Sequence, residues 1–256
     1  MRVFAISDLH VDFSENRAWL AQLSSLDFTG DLLICAGDIS HSMTDLARTF
    51  AGLRSRFASV CFVPGNHELW VKESSGFTSL QKFEKIEQLA TDEGISTEPV
   101  HLKDVSVVPL HGWYDFSFGE PSPDLLGKWA DFQICVWPEG LTQAEITQFF
   151  LSRNERFLER NQMDCNHKRV ISFSHFVPRT DLLPANSAGA NFLRPVLGCH
   201  SIESQIRKLG SFMHIYGHYH VNNRRELDGV TYINNALGYP RETAISAKRL
   251  LCIFET

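Results

Sequence analysis

No stretch of this chain holds the roughly 18 consecutive apolar residues that a membrane-spanning helix needs. The first ten residues, MRVFAISDLH, carry charges at Arg2 and Asp8 around a short apolar run, which argues against a secretory leader. Cysteine is scarce and scattered: Cys35, Cys61, Cys135, Cys165, Cys199 and Cys252 form no C-x-x-C pair. Cys35, Cys61 and Cys252 sit inside apolar runs, where a thiol behaves as a small hydrophobe, so a reduced, cytoplasmic chain is expected. Basic charge is not in excess. The net charge of −6 argues against the strongly basic groove of a nucleic-acid polymer binder. Repeats, low-complexity tracts and linker-like stretches are also missing, so one domain over residues 1–256 is expected.

What is present is the ordinary apolar content of a globular protein, 43%, arranged in short runs alternating with segments of helical period. Runs 2–7, 31–37 and 59–65 read as strands. The first is followed by an apolar helix face over 19–26, the second by a helix through Leu46, Phe50 and Leu53, the third by a helix over 77–93 ended by Gly94. This β-α-β-α-β succession predicts an α/β fold with parallel strands and right-handed crossovers. Further strands are expected at 105–110, 168–174, 211–216 and 249–254, with helices at 142–161, where Thr142 and Glu145 are spaced as a capping box, and near 201–209. A hairpin is expected over 219–235, turning at Asp228-Gly229. Segment 111–140 is dense in aromatics, proline and glycine and reads as a long ordered loop or a lid or cap, of the kind that lines a binding site.

The expected strand ends carry the chemistry. They release Asp8-Leu9-His10, Gly37-Asp38, Gly65-Asn66-His67-Glu68, Ser174-His175 and Gly217-His218-Tyr219-His220. In open α/β sheets ligands sit beyond the carboxyl ends of the strands, so these side chains are expected to converge. Residues two apart on extended backbone share a face, which lets Asp8 act with His10 and His218 with His220. A mixed set of carboxylate, imidazole and amide donors suits Mn, Fe, Zn or Co better than Mg or Ca.

These motifs, D-x-H, G-D, G-N-H-E, a lone His and G-H-x-H, occur in an order that resembles the calcineurin-like metallophosphoesterase family from residue 6 to residue 220. The resemblance implies a four-layer αββα sandwich with mixed sheets and two metal ions. One ion would be held by Asp8, His10, Asp38 and His220, the other by Asp38, Asn66, His175 and His218, with Asp38 shared. It also implies hydrolysis of a small phosphodiester or phosphomonoester by a metal-bridging hydroxide, with His67 assisting the leaving group and Glu68 supporting from behind. Two alternatives stand beside this. A phosphoprotein phosphatase of the superfamily would carry an Asp-Arg pair that GDISHSM (37–43) lacks, and a non-catalytic interaction scaffold would be expected to have lost ligands that this chain keeps. Bacterial cyclic-nucleotide relatives usually have Asp where this chain has Glu68.

Outside the motifs, His111, Tyr114 and Arg241 are candidate substrate contacts. Trp113, Tyr114, Trp129 and Trp137 would either stack on a ligand or pack the lid. His41, His101, His167, His200 and His214 are expected to lie outside the site.

Overall fold

The computed structural model describes residues 1–71, 76–163, 169–184 and 188–255. Cys165 and His167 lie outside the described residues. Alternation of period two sets the architecture. In β1 (Arg2–Ile6), Val3 and Ala5 face one core and Phe4 and Ile6 another. β2 (Leu32–Ala36) divides the same way, with Leu32, Ile34 and Ala36 against Leu33 and Cys35, as does β3 (Ser59–Val63), with Cys61 and Val63 against Val60 and Phe62. With both faces apolar, the sheet must be covered on both sides.

One cover is a second sheet. The first sheet has the order β10-β1-β2-β3, with β10 (Leu251–Glu255) antiparallel to β1 and the others parallel. The second has the order β4-β5-β6-β7-β9-β8, from β4 (Val100–His101), β5 (Val105–Pro109), β6 (Arg169–Phe173), β7 (Met213–Tyr216), β8 (Asn223–Leu227) and β9 (Val230–Asn234). It is parallel from β5 through β9, with β4 and β8 antiparallel on its flanks. Val3, Ala5 and Ile34 meet Val107, Ile171, Phe173 and Ile215 between the sheets. Each fully buried Val, Ile or Phe side chain among them contributes about 1.5–3 kcal/mol.

The outer faces take the helices: α1 (Ser14–Ala21), α2 (Met43–Arg54), α3 (Ser79–Asp92), α6 (Gln143–Met163) and α8 (His200–Lys208), through Leu20, Phe50, Phe83, Phe150 and Ile206 among others. The result is the αββα layering. Thr142 and Glu145 cap α6 reciprocally, as their spacing predicts. The first helix ends at Ala21 instead of running to residue 26. α3 starts at Ser79, because Thr78 and Gln81 form a capping box, so Phe77 precedes the helix. Segment 111–140 holds two short helices, α4 (Pro123–Lys128) and α5 (Asp131–Ile134), and Ile134 and Val136 accept from Val71 and Ser79, tying it to the chain after β3. A further helix, α7 (Ala188–Leu193), precedes α8. The β8–β9 turn has positive φ at both Asp228 and Gly229, the backbone a type I′ hairpin needs.

Candidate metal centre

β1, β2, β3, β6 and β7 all end at the same edge of the sandwich, and the chain turns sharply after each. Asp8, His10, Asp38 and His218 adopt φ of 53°, 40°, 55° and 66°, left-handed values that non-glycine residues seldom take and that collect at functional sites. The turns interlock: Asp8 N donates to Gly37 O, His10 N to Asp38 O, and Gly217 N to His175 O. Glu68, fully buried, accepts backbone N–H bonds from Asp38 (2.9 Å), Ile39 (2.6 Å), Ser40 (3.0 Å) and Gly65 (2.7 Å), so it clamps the exits of β2 and β3 together. Burial, and then the charge of Asp38, push its carboxyl up to about 7.

Three sets of donor atoms result, each within 4.8 Å: Asp8, His10 and His220; His10, Asp38 and His67; Asp38, His175 and His218. His10 and Asp38 link them into one chain. The amide oxygen of Asn66 joins at 3.3 Å from His175 Nε2. All seven expected ligands, together with His67, are thus brought to one place.

Hydrogen bonds assign the tautomers. His175 Nδ1 donates to Ala36 O (2.9 Å), His218 Nε2 to Val196 O (3.0 Å), and His220 Nδ1 to Glu242 Oε2 (2.7 Å). The remaining ring nitrogens point inward, with His175 Nε2 3.1 Å from His218 Nδ1 and His220 Nε2 3.1 Å from His10 Nε2. Two lone pairs at that separation repel unless a proton or a cation lies between them. Burial lowers the affinity of His175 and His220 for protons, but Asp38 and Asp8 outweigh it and raise them to about 9 and about 10. Burial holds their partners His218 and His10 at about 3. Burial also opposes ionisation of the two carboxylates, yet His220 holds Asp8 down at about 2, and His175 and His67 keep Asp38 well below the usual range. Paired nitrogens beside ionised carboxylates are a donor set that transition metal ions fit.

His67 lies at the rim, with its backbone N–H donating to Asp38 Oδ1 (3.0 Å), its Nε2 3.8 Å from Asp38 Oδ2, and its ring stacked 3.7 Å from that of Trp70. It borders two cavities. One, of about 240 Å³, also touches Asp38, Asn66, His218 and His220. The other, of about 660 Å³, leads outward between Phe13, Trp70, Tyr239 and Arg241.

Of the three candidate substrate contacts, Arg241 lines the outer cleft, whereas the other two do not reach it. His111 is buried with its ring edge on Phe83 and its backbone N–H on Asn154, facing the α3–α6 side, because it turns into the outer core on leaving β5. Tyr114 is likewise buried, its hydroxyl 3.2 Å from Asp131 behind Asn66. Trp113 and Trp137 pack the core, while Trp129 edges the inner cavity. His41, outside the expected site, lines the outer cleft and pairs with Asp12 (3.1 Å). Two residues escaped sequence reasoning. Glu242 orients His220, and Asp131 accepts the Asn66 amide N–H (2.9 Å). A lone acid between Trp129 and Phe132 was the one available signal for the latter.

The calcineurin-like phosphoesterase model matches residues 1–222. The chain is 27% identical over 268 residues to the acyl-carrier-protein phosphodiesterase PptH of Mycobacterium tuberculosis, covering 94% of this chain and 78% of that protein. The crystal structure of that organism's phosphopantetheinyl hydrolase PptH superposes with a TM-score of 0.76 at 23% identity, over 95% of this chain and 91% of the other. TT1561 of Thermus thermophilus shares the fold at a TM-score of 0.51 and 13% identity, over 92% and 89%. Among the described residues no helix is long and apolar enough to cross a membrane.

Proposed function

The chain belongs to the calcineurin-like phosphoesterases, metal-dependent phosphoester hydrolases, and we propose that it is a phosphodiesterase whose substrate is a phosphopantetheinyl group carried on a protein. The substrate class rests on the similarity to PptH across 94% of the chain. The outer cleft beyond His67, of about 660 Å³, has the room for a ligand of that size.

The observation that carries the chemistry is the pair of imidazole contacts at 3.1 Å, each beside a carboxylate. Asp8, His10, Asp38 and His220 would hold one ion, and Asp38, Asn66, His175 and His218 the other, with Mn, Fe, Zn or Co as the ions such donors suit. Bound, the two ions supply positive charge to an anionic ester and the acidity that activates water. The rest falls to the chain. Asp38 faces both ligand sets and offsets the repulsion between them. Asn66 contributes an oxygen without adding negative charge. His67, on the cleft side, donates a proton from Nε2 to the departing serine or alcohol oxygen, a role worth about 10²–10⁴-fold. Glu242 and Ala36 O keep His220 and His175 in their ligating tautomers.

Residues from Asp8 to Glu242 in both sheets build this one site, which supports a single domain, with segment 111–140 as its cover. The buried free thiols Cys35, Cys61 and Cys199 support a reducing, cytoplasmic setting. The intact donor set with its strained backbone speaks against a scaffold role.

The test is release of the arm from a holo acyl carrier protein, followed by mass spectrometry, beside bis(p-nitrophenyl) phosphate and p-nitrophenyl phosphate, all with Mn-loaded protein. Apo carrier protein and diester turnover, both abolished in Asp38→Ala, are expected. Monoester preference with an untouched carrier protein would refute the substrate.

A further inference from the structure

Asp131 opens α5, only 2% exposed, and the four bonding partners of its carboxylate are all uncharged. Oδ1 accepts from Asn66 Nδ2 (2.9 Å) and Trp70 Nε1 (2.6 Å). Oδ2 accepts from Trp129 Nε1 (2.8 Å) and Tyr114 Oη (3.2 Å). A buried carboxylate is costly unless donors fill its lone pairs, and here four do.

What such a group provides is polarity. The two ends of an asparagine amide are nearly equal in shape, but only the oxygen can face a cation. An acceptor-only neighbour on the far side forces the NH₂ outward and the oxygen into the site, where Asn66 Oδ1 is observed. Asp131 Oδ1, which accepts that NH₂, also holds the Trp70 indole, the plane on which the His67 ring lies at 3.7 Å. One buried oxygen therefore braces a candidate ligand and the candidate leaving-group residue together.

We propose that Asp131 is a positioning residue for phosphoester hydrolysis: it fixes the oxygen-in orientation of Asn66 and, through Trp70, the place of His67. This rests on the two-ion reading above. Asp131→Asn keeps the shape but replaces one acceptor by NH₂, which Tyr114 Oη can accept on one side and which the Asn66 amide can accept on the other only by turning over. Adding Tyr114→Phe removes the first choice, so in the double variant the amide of Asn66 turns over and presents NH₂ to the ion.

The experiment measures Mn per chain by mass spectrometry, the spin-coupled dinuclear signal by electron paramagnetic resonance, and kcat and KM on bis(p-nitrophenyl) phosphate. In Asp131→Asn with Tyr114→Phe we expect one Mn in place of two, loss of the coupled signal, and kcat lowered by about 10²-fold with KM little changed. Tyr114→Phe, which removes the longest of the four bonds, keeps both ions. Should the double variant fail to fold, the exchange Asn66→Asp with Asp131→Asn carries the test, since it restores an N–H···O bond between the two positions, and it should bind two ions. Two coupled ions and wild-type turnover in the double variant, or fewer than two ions in the exchange, would overturn the proposal. Wild-type protein that itself never binds two ions would instead overturn the two-ion reading.

Discussion

Gly65→Ala adds one methyl group and should disable the site. A Cβ at Gly65 would lie 2.2 Å from Asp38 Oδ1, 2.7 Å from His175 Nε2 and 2.8 Å from His175 Cδ2. Ordinary carbon contacts lie near 3.5 Å, so the carboxylate oxygen must retreat by roughly 1 Å. The backbone cannot yield instead, because Gly65 N is held by Glu68 Oε2 at 2.7 Å and the same carboxylate holds Asp38, Ile39 and Ser40. Displacing a group at the reacting centre by about 1 Å lowers turnover by about 10²-fold, and overpacking costs about 1–3 kcal/mol of stability. We therefore expect kcat on bis(p-nitrophenyl) phosphate, at saturating Mn, to fall by about 10²-fold or more, with a Tm lowered by several degrees. Gly127→Ala is the control: Gly127 is exposed on α4 with no atom near its missing Cβ, and alanine there should be neutral or stabilise by about 0.5–1 kcal/mol. A Gly65→Ala enzyme working at the wild-type rate would refute the convergence of Asp38 and His175 at that glycine.

His67→Ala should keep both ions and lose about 10²–10⁴-fold in turnover, most severely on alkyl diesters and least on p-nitrophenyl ones; loss of bound Mn would make His67 a ligand instead. Loading metal-stripped protein at pH 7 should release about two protons, one each from His175 and His220, which are raised to about 9 and about 10 by Asp38 and Asp8 against the lowering effect of burial. Calorimetry in buffers of different ionisation enthalpy reads that number, and a result near zero would refute the assignment. For stability the sign is the reverse. Both folded values exceed the unfolded 6.5, so the stripped protein has their full contribution below pH 6.5 and loses it as pH rises through about 9 and 10.

The strands and the candidate ligands at their ends were legible because each signal is local: a period-two apolar run, then a turn residue, then a donor. Asp38, Asn66 and His218 need nothing from distant sequence to be recognised at strand ends. Asp131 and Glu242 were not legible, since what marks them is a partner far away in the chain, Asn66 for one and His220 for the other. The same limit explains His111. It follows a strand as the candidate ligands do, but whether a side chain leaves a strand toward the site or toward a helix layer depends on packing against Phe83 and Asn154, which no local pattern encodes. Segment 111–140 showed its aromatics but hid its two short helices, too brief to display a period.

β1 lies inside its sheet, flanked by β2 and, on the other side, by β10. During synthesis Asp8, His10, Asp38 and Asn66 leave the ribosome long before His175, His218 and His220, while the edge of β1 that β10 covers stays bare until residues 251–255 emerge. An unpaired strand edge invites association with other chains. The nascent polypeptide thus carries that open edge until β10 pairs with β1, while its candidate donor set stays incomplete until His220 emerges.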